Sequence, residues 1–236
     1  MDLINSKKHW GLGPTLAITF FVFIIFSLLQ TLVLVLSSLF SSDLINYEDL
    51  AYVNLGVISI TSSIFASVVL ILFIRLKNRD ITEYLNLQFP PLNTTILFLL
   101  ISFLVMLLME YFSNLYPSIF DTDFVIESYR KAKSLPIFYL GVVFCGPIFE
   151  EFLFRGFLFK GLQKSIIGGH GAVFLSAFLF SIVHVQYGIY ILLFMMLPIA
   201  ILLGYARLKS GSLFLPILIH MINNLATCLL VHFEIF

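Results

Sequence analysis

Long runs of apolar residues, almost free of charge, constrain this chain more than any other feature. Seven can be read: Pro14 to Phe40, Ala51 to Ile74, Thr94 to Tyr116, Leu135 to Phe159, Ala172 to Val185 with its flanks, Ile189 to Tyr205, and Leu213 to Phe233. A bilayer core of roughly 30 Å takes about 20 apolar residues per helix, and most of these runs meet that length. Composition agrees, since 60% of the 236 residues are hydrophobic and only 11% charged, as in a polytopic membrane protein. The expected fold is an all-α transmembrane bundle of about seven spans. The short fifth run and the segment after Tyr116 widen that count to six to eight.

The basic residues set an orientation, because short cytoplasmic loops carry an excess of Lys and Arg. Lys7 and Lys8 precede the first run; Arg75, Lys77 and Arg79 follow the second; Arg155, Lys160 and Lys164 close the fourth; Arg207 and Lys209 close the sixth. All fall on one side. The other side holds Asp43, Glu48, Asp49, Asp121, Asp123 and Glu127, with one basic cluster at Arg130, Lys131 and Lys133. The N-terminus is therefore expected in the cytoplasm. The first run is too long for the apolar part of a cleavable signal and lacks a clear small-residue cleavage site, so it is expected to stay as a span. Short loops, small size and the use of Ile, Phe and Lys point to a bacterial plasma membrane.

A net charge of zero and the lack of a basic tail give no sign of a nucleic-acid partner. Cys145 and Cys228 lie within spans and read as small core residues. The longest connection, Pro117 to Ser134, contains "DTDFVIESYRKAKS", which suits a short interfacial helix. Without internal repeats or a separating linker, one membrane domain is the simplest division.

Ionisable residues inside spans cost roughly 2.5–3.5 kcal/mol each at the bilayer centre and so need a partner or a purpose. Here they are Glu110, Glu150, Glu151, Arg155, His184 and His220, with the amide of Asn224 beside them. Glu110, near the outer end of its span, can reach headgroups; His9 and His232 read as interfacial and His170 as a loop residue. In "PIFEEFLFRGF", residues 147–157, Glu151 and Arg155 are four apart and share a helix face. Glu150 points about 100° away and has no cation at i+3 or i+4. A carboxylate placed so, in apolar surroundings, is poised to accept and return a proton near neutral pH.

The same spacing puts Phe180 with His184, and His220 with Asn224, each on one helix face. Counted at 1.5 Å per residue, Glu150 lies about 15 Å from Lys160, His184 about 21 Å from His170, His220 about 16 Å from Lys209, and Asn224 about 22 Å from Lys209. These levels agree within about a turn. A lone histidine on an apolar helix is ordinarily a satisfied core residue, and Glu151 with Arg155 reads as a structural ion pair. A carboxylate, two imidazoles and an amide at one height read instead as a buried polar site.

At these residues the chain resembles a known family. "EEFLFR" (Glu150, Glu151, Arg155), "FSIVH" (Phe180, His184) and "HMINN" (His220, Asn224) fit the EExxxR, FxxxH and HxxxN motifs of the CPBP family. These are the CAAX-protease and bacteriocin-processing, or Abi, intramembrane proteases, and the resemblance is nearest to their type II CAAX prenyl endopeptidase group. It covers about residues 135–230, so residues 135–236 would form the catalytic helical core and 1–134 the N-terminal helices and loops.

The resemblance implies a membrane endopeptidase acting on a membrane-associated peptide or protein. Glu150 and His184 would activate a water, His220 and Asn224 would stabilise the oxyanion, and Glu151 with Arg155 would be a supporting pair. Zinc is possible on Glu150, His184 and His220, but there is no HExxH, and a glutamate-activated water needs no obligatory cofactor. Two rival functions are a proton-coupled transporter, against which stands the lack of repeated halves, and a non-catalytic bacteriocin-immunity or regulatory protein.

Overall fold

A computed structural model describes residues 10–40, 46–77, 80–120 and 122–233. Lys7, Lys8, His9, Asp43, Arg79 and Asp121, used above for orientation and as interfacial markers, lie outside the described residues, as does the side chain of Glu48. Among the described residues the chain is helical, with no strand. Each apolar run becomes a helix: α1 Leu12–Leu39, α2 Tyr47–Lys77, α4 Leu92–Leu115, α6 Leu135–Gln163, α7 Gly168–Ile182, α8 Ile189–Ser210 and α9 Phe214–His232. Two short helices lie between them, α3 Ile81–Leu85 and α5 Asp123–Arg130. The second of these is the short helix expected after Tyr116.

Among the described residues six helices are long and apolar enough to cross a membrane, which makes this a polytopic all-α bundle. The exception is α7, whose 15 residues extend about 22 Å, short of a hydrocarbon core. The largest core cluster joins the first helices to the last. Val22 of α1, Leu70 and Ile74 of α2, Phe149 and Phe157 of α6, Ala177 of α7, Ala200 of α8 and Ile217 of α9 all belong to it. Helix α4 packs on the outside, through Phe98 against Leu203 of α8 and Ile219 of α9.

Helix α6 is not regular. Its α-helical turns alternate with π-helical stretches at Leu140–Cys145 and Phe152–Leu158, on either side of the two glutamates. A π-helical turn carries an extra residue, shifts which side chains face a neighbour, and recurs at functional sites. Two features explain the first. Gly141 lies against Gly56 of α2 so closely that a Cβ would stand 2.5 Å from the Gly56 carbonyl oxygen, a backbone approach that only glycine allows. Pro147, with no N–H to donate, cannot continue the ladder back to Val142.

Three of the basic residues used for orientation are not loop residues. Arg155 is fully buried, and Lys160 and Arg207 are nearly so. Lys160 Nζ donates to the carbonyl oxygens of Glu83, at 3.2 Å, and Tyr84. Arg207 Nη2 donates to that of Leu85 at 3.3 Å. Two cations thus take up the last three carbonyls of α3, those of Glu83, Tyr84 and Leu85, which lie beyond the reach of the helix's own hydrogen-bond ladder. His170, expected in a loop, lies in the first turn of α7, where its Nδ1 is 3.1 Å from the Tyr205 hydroxyl.

Candidate active site

Helices α6, α7 and α9 bring three of the expected residues together. Glu150 Oε2 stands 3.9 Å from His184 Nε2 and 3.8 Å from His220 Nε2. Those gaps are wider than a hydrogen bond, whose N–H···O mode is about 2.9–3.0 Å. The side chains keep 20%, 15% and 9% of their exposure for Glu150, His184 and His220, so solvent can reach the carboxylate. Glu151 and Arg155 keep none, which separates two adjacent glutamates into one accessible and one enclosed.

Each imidazole is held from its far side. His184 follows the end of α7, at φ −105° and ψ 25°, instead of continuing the helical face that carries Phe180. Its Nδ1–H donates to the Phe180 carbonyl oxygen at 2.7 Å, one of the orphan carbonyls of the last helical turn. His220 Nδ1–H donates to Glu151 Oε1 at 2.9 Å. With Nδ1 engaged, both histidines direct Nε2 toward Glu150, the arrangement by which a second partner fixes a ring's tautomer and orientation.

Glu151 is the hinge of this arrangement. The same Oε1 accepts from Arg155 Nη1 at 3.0 Å, so the expected ion pair also grips a histidine on another helix. Arg155 extends the grip: Nη2 donates to the Ala200 carbonyl oxygen of α8 at 3.0 Å. The guanidinium also lies 4.4 Å over the Phe180 ring of α7. A fully buried pair is retained only with such added partners, since desolvation otherwise exceeds the Coulombic gain.

Asn224 is one turn further along α9, and its Nδ2 donates to the Val142 carbonyl oxygen at 2.9 Å. That is the carbonyl that Pro147 leaves without a ladder donor, so the amide repairs a gap in α6 while joining it to α9. An amide NH₂ carries two hydrogens, and this bond uses one. Beside it, Asn223 is buried and accepts from Ser102 Oγ of α4 at 2.8 Å, a contact that no spacing rule along one helix could reveal. Glu110 accepts from Asn114 Nδ2 at 2.8 Å on the exposed face of α4, apart from the site.

The zinc candidates do not form a closed metal set. Ligands at about 2.0–2.2 Å around a tetrahedral ion stand roughly 3.3–3.6 Å apart, and the Glu150–histidine separations here are 3.9 and 3.8 Å. Among the described residues no group of three His, Cys, Asp or Glu side chains is arranged to hold an ion. Both cysteines are free thiols.

The fold and site together are those of a helical membrane bundle with a carboxylate facing two imidazoles from separate helices. The family model described as Rce1-like, Type II CAAX prenyl endopeptidase Rce1-like, matches residues 132–226. That segment runs from just before α6 into α9, contains all three motifs, and bears out their resemblance to the CAAX-protease family. The match supports an intramembrane protease of the CAAX type. No curated protein and no solved structure matches the chain.

Proposed function

We propose that the protein is an intramembrane endopeptidase that hydrolyses a peptide bond of a membrane-associated protein or peptide with a water activated by Glu150 and His184. The observation that carries this reading is the position of Glu150 Oε2, 3.9 and 3.8 Å from two Nε2 atoms. A single water at about 2.8 Å can hydrogen-bond both Glu150 and His184 across such a gap. Glu150 accepts a proton from that water, whose oxygen attacks the scissile carbonyl carbon. The proton then passes to the amide nitrogen as the C–N bond breaks, leaving a carboxylic acid and an amine.

In this scheme the second N–H of Asn224 and the Nε2–H that His220 presents when it carries a proton on both ring nitrogens, with Nδ1–H on Glu151, stabilise the negative oxygen of the tetrahedral intermediate. Glu151 and Arg155 hold His220 and the Phe180 face in register. No metal is obligatory. The protein sits in the cell membrane, bounded by lipid, with its N-terminus in the cytoplasm, and its substrate reaches the site from the bilayer.

A comparison of membrane-associated peptides in cells carrying the parent chain, Glu150→Gln or neither tests this reading. Products present only with the parent are expected. The same peptides appearing with Glu150→Gln would show that Glu150 is not the base.

A further inference from the structure

His184 is the one proposed catalytic group outside regular helix, and its surroundings hold more than the motif accounts for. It sits in the turn between α7 and α8, where Val185–Tyr187 forms a single 3₁₀ turn. Its Nδ1–H on the Phe180 carbonyl leaves rotation about that bond to be limited by neighbouring rings. On the motif side is Phe180, with ring centroids 4.5 Å apart and planes at 38°. The other ring is Tyr187, 6.1 Å away and within 21° of parallel, inside the range of offset-stacked pairs.

Tyr187 is itself held. Its ring takes an edge contact from Phe124 of α5, at 5.0 Å and 83°. Phe124 in turn makes an edge contact with Tyr52 of α2, at 5.7 Å and 67°. The next residue, Gly188, has φ 84° and ψ 157°, a region reserved in practice for glycine. The backbone thus turns abruptly into α8 directly after Tyr187, which keeps its ring beside His184 instead of following the helix axis.

We infer that Tyr187 is a positioning residue for His184, its ring fixing the imidazole so that Nε2 stays directed at Glu150. The inference deepens the peptidase reading and rests on it for the purpose of that alignment. The ring, not the hydroxyl, does the work, so Tyr187→Phe keeps the function and Tyr187→Ala loses it. Tyr187→Leu retains apolar bulk without a flat ring and separates stacking from simple filling of space.

The test uses the full chain in lipid nanodiscs with ¹⁵N-labelled histidine, the His184 signal being the one absent from His184→Asn. Parent and Tyr187→Phe are expected to show His184 as a single Nδ1–H tautomer, while Tyr187→Ala and Tyr187→Leu lose that signature and show tautomer averaging. A parent-like signal in Tyr187→Leu overturns the inference, and so does averaging in Tyr187→Phe. Should Tyr187→Ala fail to fold, Tyr187→Leu against Tyr187→Phe decides alone. The signal is read without substrate, so its failure leaves the peptidase reading standing, whereas a parent that cleaves nothing would remove that reading without altering this signal.

Discussion

Replacing Glu151 by Gln removes the anion that pairs with a fully buried arginine. In the parent, one oxygen of Glu151 takes Arg155 Nη1 at 3.0 Å and His220 Nδ1 at 2.9 Å. Glutamine is nearly isosteric, so packing is kept and the change is chiefly one of charge. Breaking a buried pair from one side costs about 3–5 kcal/mol, because the remaining charge stays desolvated and uncompensated. For a chain of this length that is a fall in melting temperature on the order of 10 °C. Arg155→Met is expected to cost less, since Glu151 keeps His220 as its partner. The double variant Glu151→Gln with Arg155→Met leaves neither charge, so it is expected to be more stable than Glu151→Gln alone by about 2 kcal/mol or more. Thermal melts of the four proteins in one detergent provide the cycle. Strict additivity, with the double variant the least stable of all, would refute the reasoning that burial of an unpaired charge dominates.

Asn224→Ala is expected to lower turnover by roughly 100-fold or more with little change in substrate affinity, as for loss of one oxyanion donor; an affinity loss with an unchanged chemical step would reassign the amide to holding Val142. Gly141→Ala forces a Cβ to within 2.5 Å of the Gly56 carbonyl oxygen, and melting should report a loss of about 1–3 kcal/mol or more because backbone cannot move aside. Chelator treatment of purified protein should leave cleavage intact, with metal analysis showing no stoichiometric ion; inactivation reversed by added zinc would contradict the metal-free scheme. A reporter fused after Lys209 should be cytoplasmic and one after Tyr116 external, and the reverse pattern would invert the assigned orientation.

The spans were legible because a bilayer demands long apolar runs, and that requirement is written residue by residue in the chain. The pairing of Glu151 with Arg155 was legible too, as a four-residue spacing on one helix. Its wider reach was not: the contact from Glu151 to His220 joins residues 69 positions apart, and periodicity along one helix carries no information about another. The irregular course of α6 left two traces, Gly141 and Pro147, but a close glycine contact and an unpaired carbonyl acquire meaning only once α2 and α9 are in place. Lys160 and Arg207 close their spans as read, in the last turns of their helices, but with a further role. A rule that counts basic residues at span ends cannot see that the backbone carbonyls of a five-residue helix wait for them. His184 was expected to continue a helical face, whereas the helix ends at Ile182 and the side chain folds back to cap its last turn.

The central claim, that Glu150 is the base, is tested most directly by the cleavage rate of purified Glu150→Gln in lipid, measured beside the parent and with its melting temperature. The amide cannot take a proton from water, so the account predicts that cleavage falls to background while the protein melts within a few degrees of the parent. Cleavage by Glu150→Gln at a rate comparable to the parent's would contradict it.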